Sequence, residues 1–178
     1  MTNPRDYFTV EERQKLRETV PEYGLIPAYN SLSPKERDRW KVHLAQRFEK
    51  SKNSVSVSDF DRANSWKIPS LLWVTLDAGL RPVEIERART RWTDVSNNVL
   101  RIPKEESSKN KDNRIVALTD RTITALSRWL DEREQHIKYG NSDLLWLNRV
   151  GNPYKYYSLN RLLKKTCDSA EIRSDDRT

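Results

Sequence analysis

The chain has 178 residues, and 33 Lys and Arg against 26 Asp and Glu leave a formal net charge of +7. With 35 % hydrophobic and 33 % charged residues and a mean hydropathy of −0.91, it is one lean domain rather than a membrane protein, since no apolar run approaches the roughly 18 residues of a spanning helix. One cysteine, Cys167, and two histidines, His43 and His136, exclude a disulfide scaffold and a Cys/His zinc cluster within the chain.

The N-terminus, broken by Pro4, Arg5, Asp6, Glu11 and Glu12, carries no secretory signal, so a cytoplasmic setting is expected. Thr9 and Glu12 form a capping box ahead of a helix that runs to about Val20, where Pro21 and Gly24 stop it. Residues 21–32 read as a loop. Ser33-Pro34-Lys35-Glu36 is a second capping box, and behind it Trp40, Leu44 and Phe48 make one apolar stripe at helical spacing. Residues 51–58 are a polar linker in which Val55 and Val57 allow a short strand. Helices then start at Ser58 and at Pro69. The second carries Leu71, Leu72, Val74 and Leu76 and ends at Gly79, and another runs from Pro82 to about Arg89.

The pattern changes at Val99. Val99–Pro103 and Arg114–Leu118 are rich in branched residues and flank a polar stretch, which predicts a long-looped β-hairpin. Thr119-Asp120 caps a helix with Ile123, Leu126, Leu130 and Ile137 in step. Leu144–Leu147 reads as a short strand. Ser158 caps the last helix, which sets Leu159, Leu162, Leu163, Thr166 and Ala170 on one face. The fold class is α+β, mostly helical with a small antiparallel sheet of two or three strands.

Several chemistries are absent. There is no phosphate loop, no dinucleotide fingerprint in a chain with four glycines, no His-Glu-x-x-His pair and no Gly-x-Ser-x-Gly elbow. Glu105 and Glu106 read as solvated surface, His43 as surface or half-buried, and the six tryptophans as core anchors. Between Arg81 and Arg114 nine basic residues meet six acidic ones, an excess that attracts phosphate. One constellation stands out. In Gly79-Leu80-Arg81-Pro82-Val83-Glu84 an arginine sits at the mouth of a helix just after a glycine turn, adding its fork to backbone donors there, with Glu84 placed to brace the guanidinium.

Together with Arg91-Trp92-Thr93-Asp94 and the basic hairpin loop Ser108-Lys109-Asn110-Lys111-Asp112-Asn113-Arg114, this constellation resembles the catalytic domain of tyrosine recombinases, the phage integrase family. Tyr7–Glu12 is similar to the family's first helix, and Leu144–Asn148 with Leu159–Ile172 fit a later strand and helix. Residues 25–65 look like a helical insertion whose wording is reminiscent of haloarchaeal integrase-like proteins. The resemblance implies metal-free, cofactor-free strand exchange on double-stranded DNA, in which a tyrosine attacks a phosphodiester and two arginines stabilise the transition state. It implies Arg81 as the first arginine, Glu84 as its supporting acid, Lys109 as the general acid with Lys111 second, and Arg91, Lys111 and Arg114 as DNA contacts. It also implies self-association on DNA and a nucleoid-associated location.

The departures shape the expectation. His43 and His136 do not fit the family's His-x-x-Arg box, and Tyr154, Tyr156 and Tyr157 lie too early for the nucleophile and read as turn or packing residues. Residues 1–178 are therefore expected to be a partial catalytic domain lacking its C-terminal half, inactive alone, with the apolar face at Leu159 and Leu163 partly uncovered and prone to association. Two other readings make different predictions. A non-catalytic DNA-binding remnant or regulator binds duplex through the hairpin and the Arg81 region, and a helical protein-interaction domain does not bind duplex at all.

Overall fold

The computed structural model describes residues 8–20, 26–107 and 111–172. In chain order these form α1 (Val10–Thr19), α2 (Pro34–Arg47), α3 (Val57–Arg62), α4 (Lys67–Ala78), α5 (Pro82–Arg87), β1 (Thr93–Asp94), β2 (Val99–Ile102), β3 (Arg114–Ala117), α6 (Asp120–Arg133) and α7 (Tyr156–Ser169). No helix among the described residues is long and apolar enough to cross a membrane. Both capping boxes form, Thr9 with Glu12 and Ser33 with Glu36, each side chain meeting the other residue's backbone N–H.

The sheet is antiparallel in the order β1-β2-β3, with Leu100 opposite Val116 on one side and Thr93 on the other. Along β2, Leu100 and Ile102 are buried while Arg101 faces out, the alternation that covers one face of a sheet. The central element is α4, apolar almost all round. Its Leu71, Leu72 and Val74 are buried, and α6 supplies Ile123, Leu126 and Trp129 to the same core. A second, smaller core of Ile26, Leu32, Trp40, Leu44, Ala45, Val55, Phe60 and Ala63 holds α2 and α3 together. A third joins Leu16 of α1 to Cys167, Ala170 and Ile172 at the end of α7. Five of the six tryptophans are at most 3 % exposed, so they are packing residues as expected.

Four boundaries between Val55 and Leu147 differ from those expected. The helix expected from Pro69 starts at Lys67, because buried Glu132 of α6 accepts the Trp66 N–H at 2.7 Å and Ser65 Oγ accepts the Lys67 N–H. An anion at that end favours the helix, and Pro69 then lies in the first turn, where its missing N–H costs nothing. Val55 and Val57 form no strand. Val55 is buried in the second core, and Val57 opens α3 behind a Ser56–Asp59 capping box. The Lys50 ammonium and the Ser56 donors hold the Asp59 carboxyl well below the usual carboxylate range. Leu144–Leu147 makes only isolated bridges, Arg89 to Leu144 and Leu147 to Pro153. Side chains take its backbone groups instead: the Arg133 fork donates to the Leu144 carbonyl, Trp129 Nε1 donates to that of Leu145, and Tyr139 Oη accepts the Leu147 N–H. Finally, α6 ends at Arg133 and Ile137 is half exposed, with Tyr139 filling the buried position.

The first and second cores meet at histidines. His136 packs edge-on against Trp40 at 4.8 Å and reaches Glu132 at 3.5 Å, and His43 packs edge-on against the same ring at 5.6 Å. Burial pushes both imidazoles below their ordinary value of 6.5. Glu132 opposes the shift at both rings and Asp131 at His43, while the charges of Arg47 at His43 and of Lys138 and Lys67 at His136 add to it. The folded chain thus binds fewer protons than the unfolded one just below that value, and stability present above it is lost as pH falls. Thermal melts should show a falling Tm as pH drops through 6.5, and replacing both histidines with glutamine should flatten that limb. A flat Tm in the parent chain across this range would contradict the assignment.

Candidate active site

Arg81 sits in the turn between α4 and α5. The turn forms because Gly79 adopts φ +58°, a left-handed conformation that a β-carbon resists, and its N–H closes the last turn of α4 on the Thr75 carbonyl. Leu80 then drops into the core and Pro82 starts α5 with its fixed φ, leaving Arg81 extended and exposed at the helix mouth. With six residues, α5 is too short for its dipole to dominate, so the guanidinium is the main positive charge at this point. It makes no ion pair with a described residue.

Glu84 is placed differently from the expectation. Its carboxylate is fully buried and accepts the backbone N–H of Arg81 at 2.8 Å, rather than bracing the guanidinium. Its charge partner is Arg114 at the start of β3, whose Nη2 donates to the same oxygen at 3.0 Å. The other oxygen accepts Ser107 Oγ at 2.8 Å. One carboxylate therefore gathers the turn that carries Arg81 and both feet of the hairpin loop.

A second clamp lies beside it. Trp92 is fully buried and its Nε1 donates to Glu106 at 2.6 Å. Glu106 also pairs with Arg91 and approaches Arg89 at 3.7 Å, and Asp143 shares both arginines. Glu106 is thus a tie between segments rather than solvated surface. Asp94 of the Trp-Thr-Asp sequence is held below its ordinary value by Asn97 first and then by Arg101.

The candidates separate as follows. Arg81, Glu84 and Arg114 come together around one turn. Arg91 is engaged by carboxylates, Lys111 is exposed with no ion pair to a described residue, and Lys109 lies outside the described residues. Ser107 and Glu106 were missed, because in sequence they are polar loop residues with no periodic or motif signal. No group of three or more His, Cys, Asp or Glu among the described residues could hold a metal ion.

The end of the chain also departs from expectation. The last helix starts at Tyr156 behind Lys155, which pairs with Glu86 of α5, not at Ser158. Tyr154 is buried, but Tyr156 and Tyr157 are exposed and so are not packing residues. Leu159 is only 8 % exposed and Leu163 packs against the third core, but both also line an opening, so the apolar face there is covered only in part. What stays open is an apolar groove of about 310 Å3 between α4, α5 and α7, with Arg81 and Tyr156 among its lining residues.

The sequence profile described as the phage integrase family matches residues 50–178. Among solved structures, the chain is similar to the one titled "Crystal structure of XerA recombinase", with a TM-score of 0.54 and 18 % identity. That match covers 85 % of this chain and 45 % of the other, so this chain spans less than half of that structure. At such identity the likeness is one of fold. A comparison with curated proteins gave no match.

Proposed function

We propose, for a chain that belongs to the phage integrase family, that it presents Arg81 to a phosphate of double-stranded DNA in site-specific recombination. The observation that carries this reading is the presentation of Arg81. Its guanidinium is exposed and has no carboxylate partner among the described residues, and its backbone is fixed by a buried carboxylate. A planar fork so held fits the non-bridging oxygens of a phosphodiester. Its value is greatest when a hydroxyl adds to phosphorus and negative charge grows on those oxygens, so it stabilises the transition state more than the bound duplex. As the bond to the 5′-oxygen breaks, that oxygen needs a proton. Lys109, with Lys111 second, is the proposed donor by resemblance to the family. Neither the attacking tyrosine nor a second arginine is assigned to a residue of this chain, which is therefore expected to bind DNA without forming a covalent adduct.

The exposed face of α7 extends the interface. Tyr157, Arg161 and Lys164 lie on it at helical spacing, Arg161 stacks on the Tyr157 ring at 5.2 Å, and the Lys155–Glu86 pair fastens this helix to α5. Fluorescence anisotropy with a labelled duplex at several salt concentrations tests the reading. If about four phosphates are contacted, log K should fall with log salt at a slope of about −3.6. The double change Arg161→Glu, Lys164→Glu should weaken binding at least about tenfold at low salt and flatten that slope by about 2. Arg81→Ala should change duplex affinity by less than about threefold, because its contact matters chiefly in the transition state. Absence of binding at low salt would favour the helical protein-interaction reading. A covalent adduct on a nicked substrate would overturn the inactivity of the chain by itself.

A further inference from the structure

We propose that Arg114 is a positioning residue for Arg81, held on protein groups rather than spent on DNA; the proposal rests on the reading of Arg81 as the phosphate ligand. Arg114 opens β3, yet its guanidinium reaches across to the α4–α5 turn. Nη2 donates to Glu84 Oε2 at 3.0 Å and Nη1 donates to the Ala78 carbonyl at 3.3 Å, while Nε is buried with no partner. Ala78 is the last residue of α4, and its carbonyl is one of those a helix leaves without an internal donor. Glu84 lies in the first turn of α5. The three residues between the two helices are Gly79, Leu80 and Arg81. One guanidinium therefore ties both ends of the turn that presents Arg81.

The same carboxylate oxygen that takes Arg114 also takes the Arg81 backbone N–H. Its charge, buried at 0 % exposure, stays tolerable only with a cation on it, and Arg114 is the one described cation within ion-pair distance. Without Arg114 the buried carboxylate is left without a cation and is driven to turn toward water, which loosens its hold on the Arg81 N–H. The effect reaches Arg81 through its backbone. A side chain bonded to Ala78 and Glu84 and one-third exposed has little left to offer a phosphate. A lysine at this position supplies the charge as a point and lacks the fork that reaches two acceptors.

Nuclear magnetic resonance on the 15N-labelled chain separates the two roles. In the unaltered chain, adding duplex should shift the Arg81 side-chain Nε–H signal and leave that of Arg114 in place. In Arg114→Ala the backbone amide of Arg81 should exchange with solvent at least about tenfold faster, and the duplex-induced shift of Arg81 should be lost. Arg114→Lys should recover part of both. Glu84→Gln, which keeps an acceptor but no charge, should release Arg114 and serves where Arg114→Ala does not fold. An Arg114 signal that shifts with duplex as Arg81's does overturns the proposal. So does an Arg114→Ala variant with unchanged Arg81 exchange. If Arg81 itself ignores duplex in the unaltered chain, the phosphate reading fails, and the exchange result alone then decides whether Arg114 holds the turn.

Discussion

Glu84→Ala should be among the most damaging single substitutions in this chain, lowering stability by about 3 kcal/mol. The carboxylate is fully buried with three donors on it: the Arg81 N–H, Ser107 Oγ and Arg114 Nη2. Removing it strands an arginine whose Nε already lacks a partner. The figure is held to the lower end of the range for broken buried pairs because Arg114 is one-third exposed and water can recover part of its charge. In a chain of 178 residues this corresponds to a Tm drop of about 6–12 °C. Glu84→Gln keeps an acceptor for the backbone and should cost about 1–2 kcal/mol. Thermal melts of the two variants beside the parent check both values, and equal losses would show that the charge, rather than the shape and acceptor that glutamine keeps, holds this position.

Trp92→Ala should be of similar or larger size, about 3–5 kcal/mol, as expected for deleting a fully buried indole. It removes a core contact and the donor to Glu106 together. Trp92→Phe keeps an aromatic ring but loses the donor and part of the indole volume, so about 1–2 kcal/mol is expected. Denaturant unfolding measures both. The diagnostic comparison is Trp92→Phe with Glu106→Gln: the pair should be less than additive, because the two residues share one hydrogen bond. Strict additivity would mean that the bond contributes nothing.

Much of the framework was legible in the chain itself. Capping boxes at Thr9 and Ser33, the glycine stop at Gly79 and the branched pair of strands around residues 99–118 are local signals, and the structure forms each of them. The segments that departed are those whose hydrogen bonds come from elsewhere. Leu144–Leu147 reads as a strand because it is apolar and short, but α6 places Trp129 and Arg133 over its carbonyls. The start of α4 depends on Glu132, more than 60 residues away, which no local pattern around Lys67 reports.

The candidate site divides the same way. Arg81 and Glu84 were visible because a glycine turn, a proline start and an acid three residues later form one short signal. The role of Glu84 was not visible, since its partners come from Ser107 and Arg114, two feet of a loop that meet only when β2 and β3 pair. Arg114 reads in the sequence as a DNA contact within a basic stretch, and nothing local marks that its guanidinium reaches Glu84 and the Ala78 carbonyl.

A crystal structure of the chain with a short duplex would locate the DNA directly. The expected result is a backbone phosphate within hydrogen-bond distance of the Arg81 guanidinium, Arg114 still on Glu84, and the Tyr157–Arg161 face of α7 turned to a groove. A duplex seated on another face, with Arg81 in open solvent, would contradict the assignment of this turn as the phosphate site.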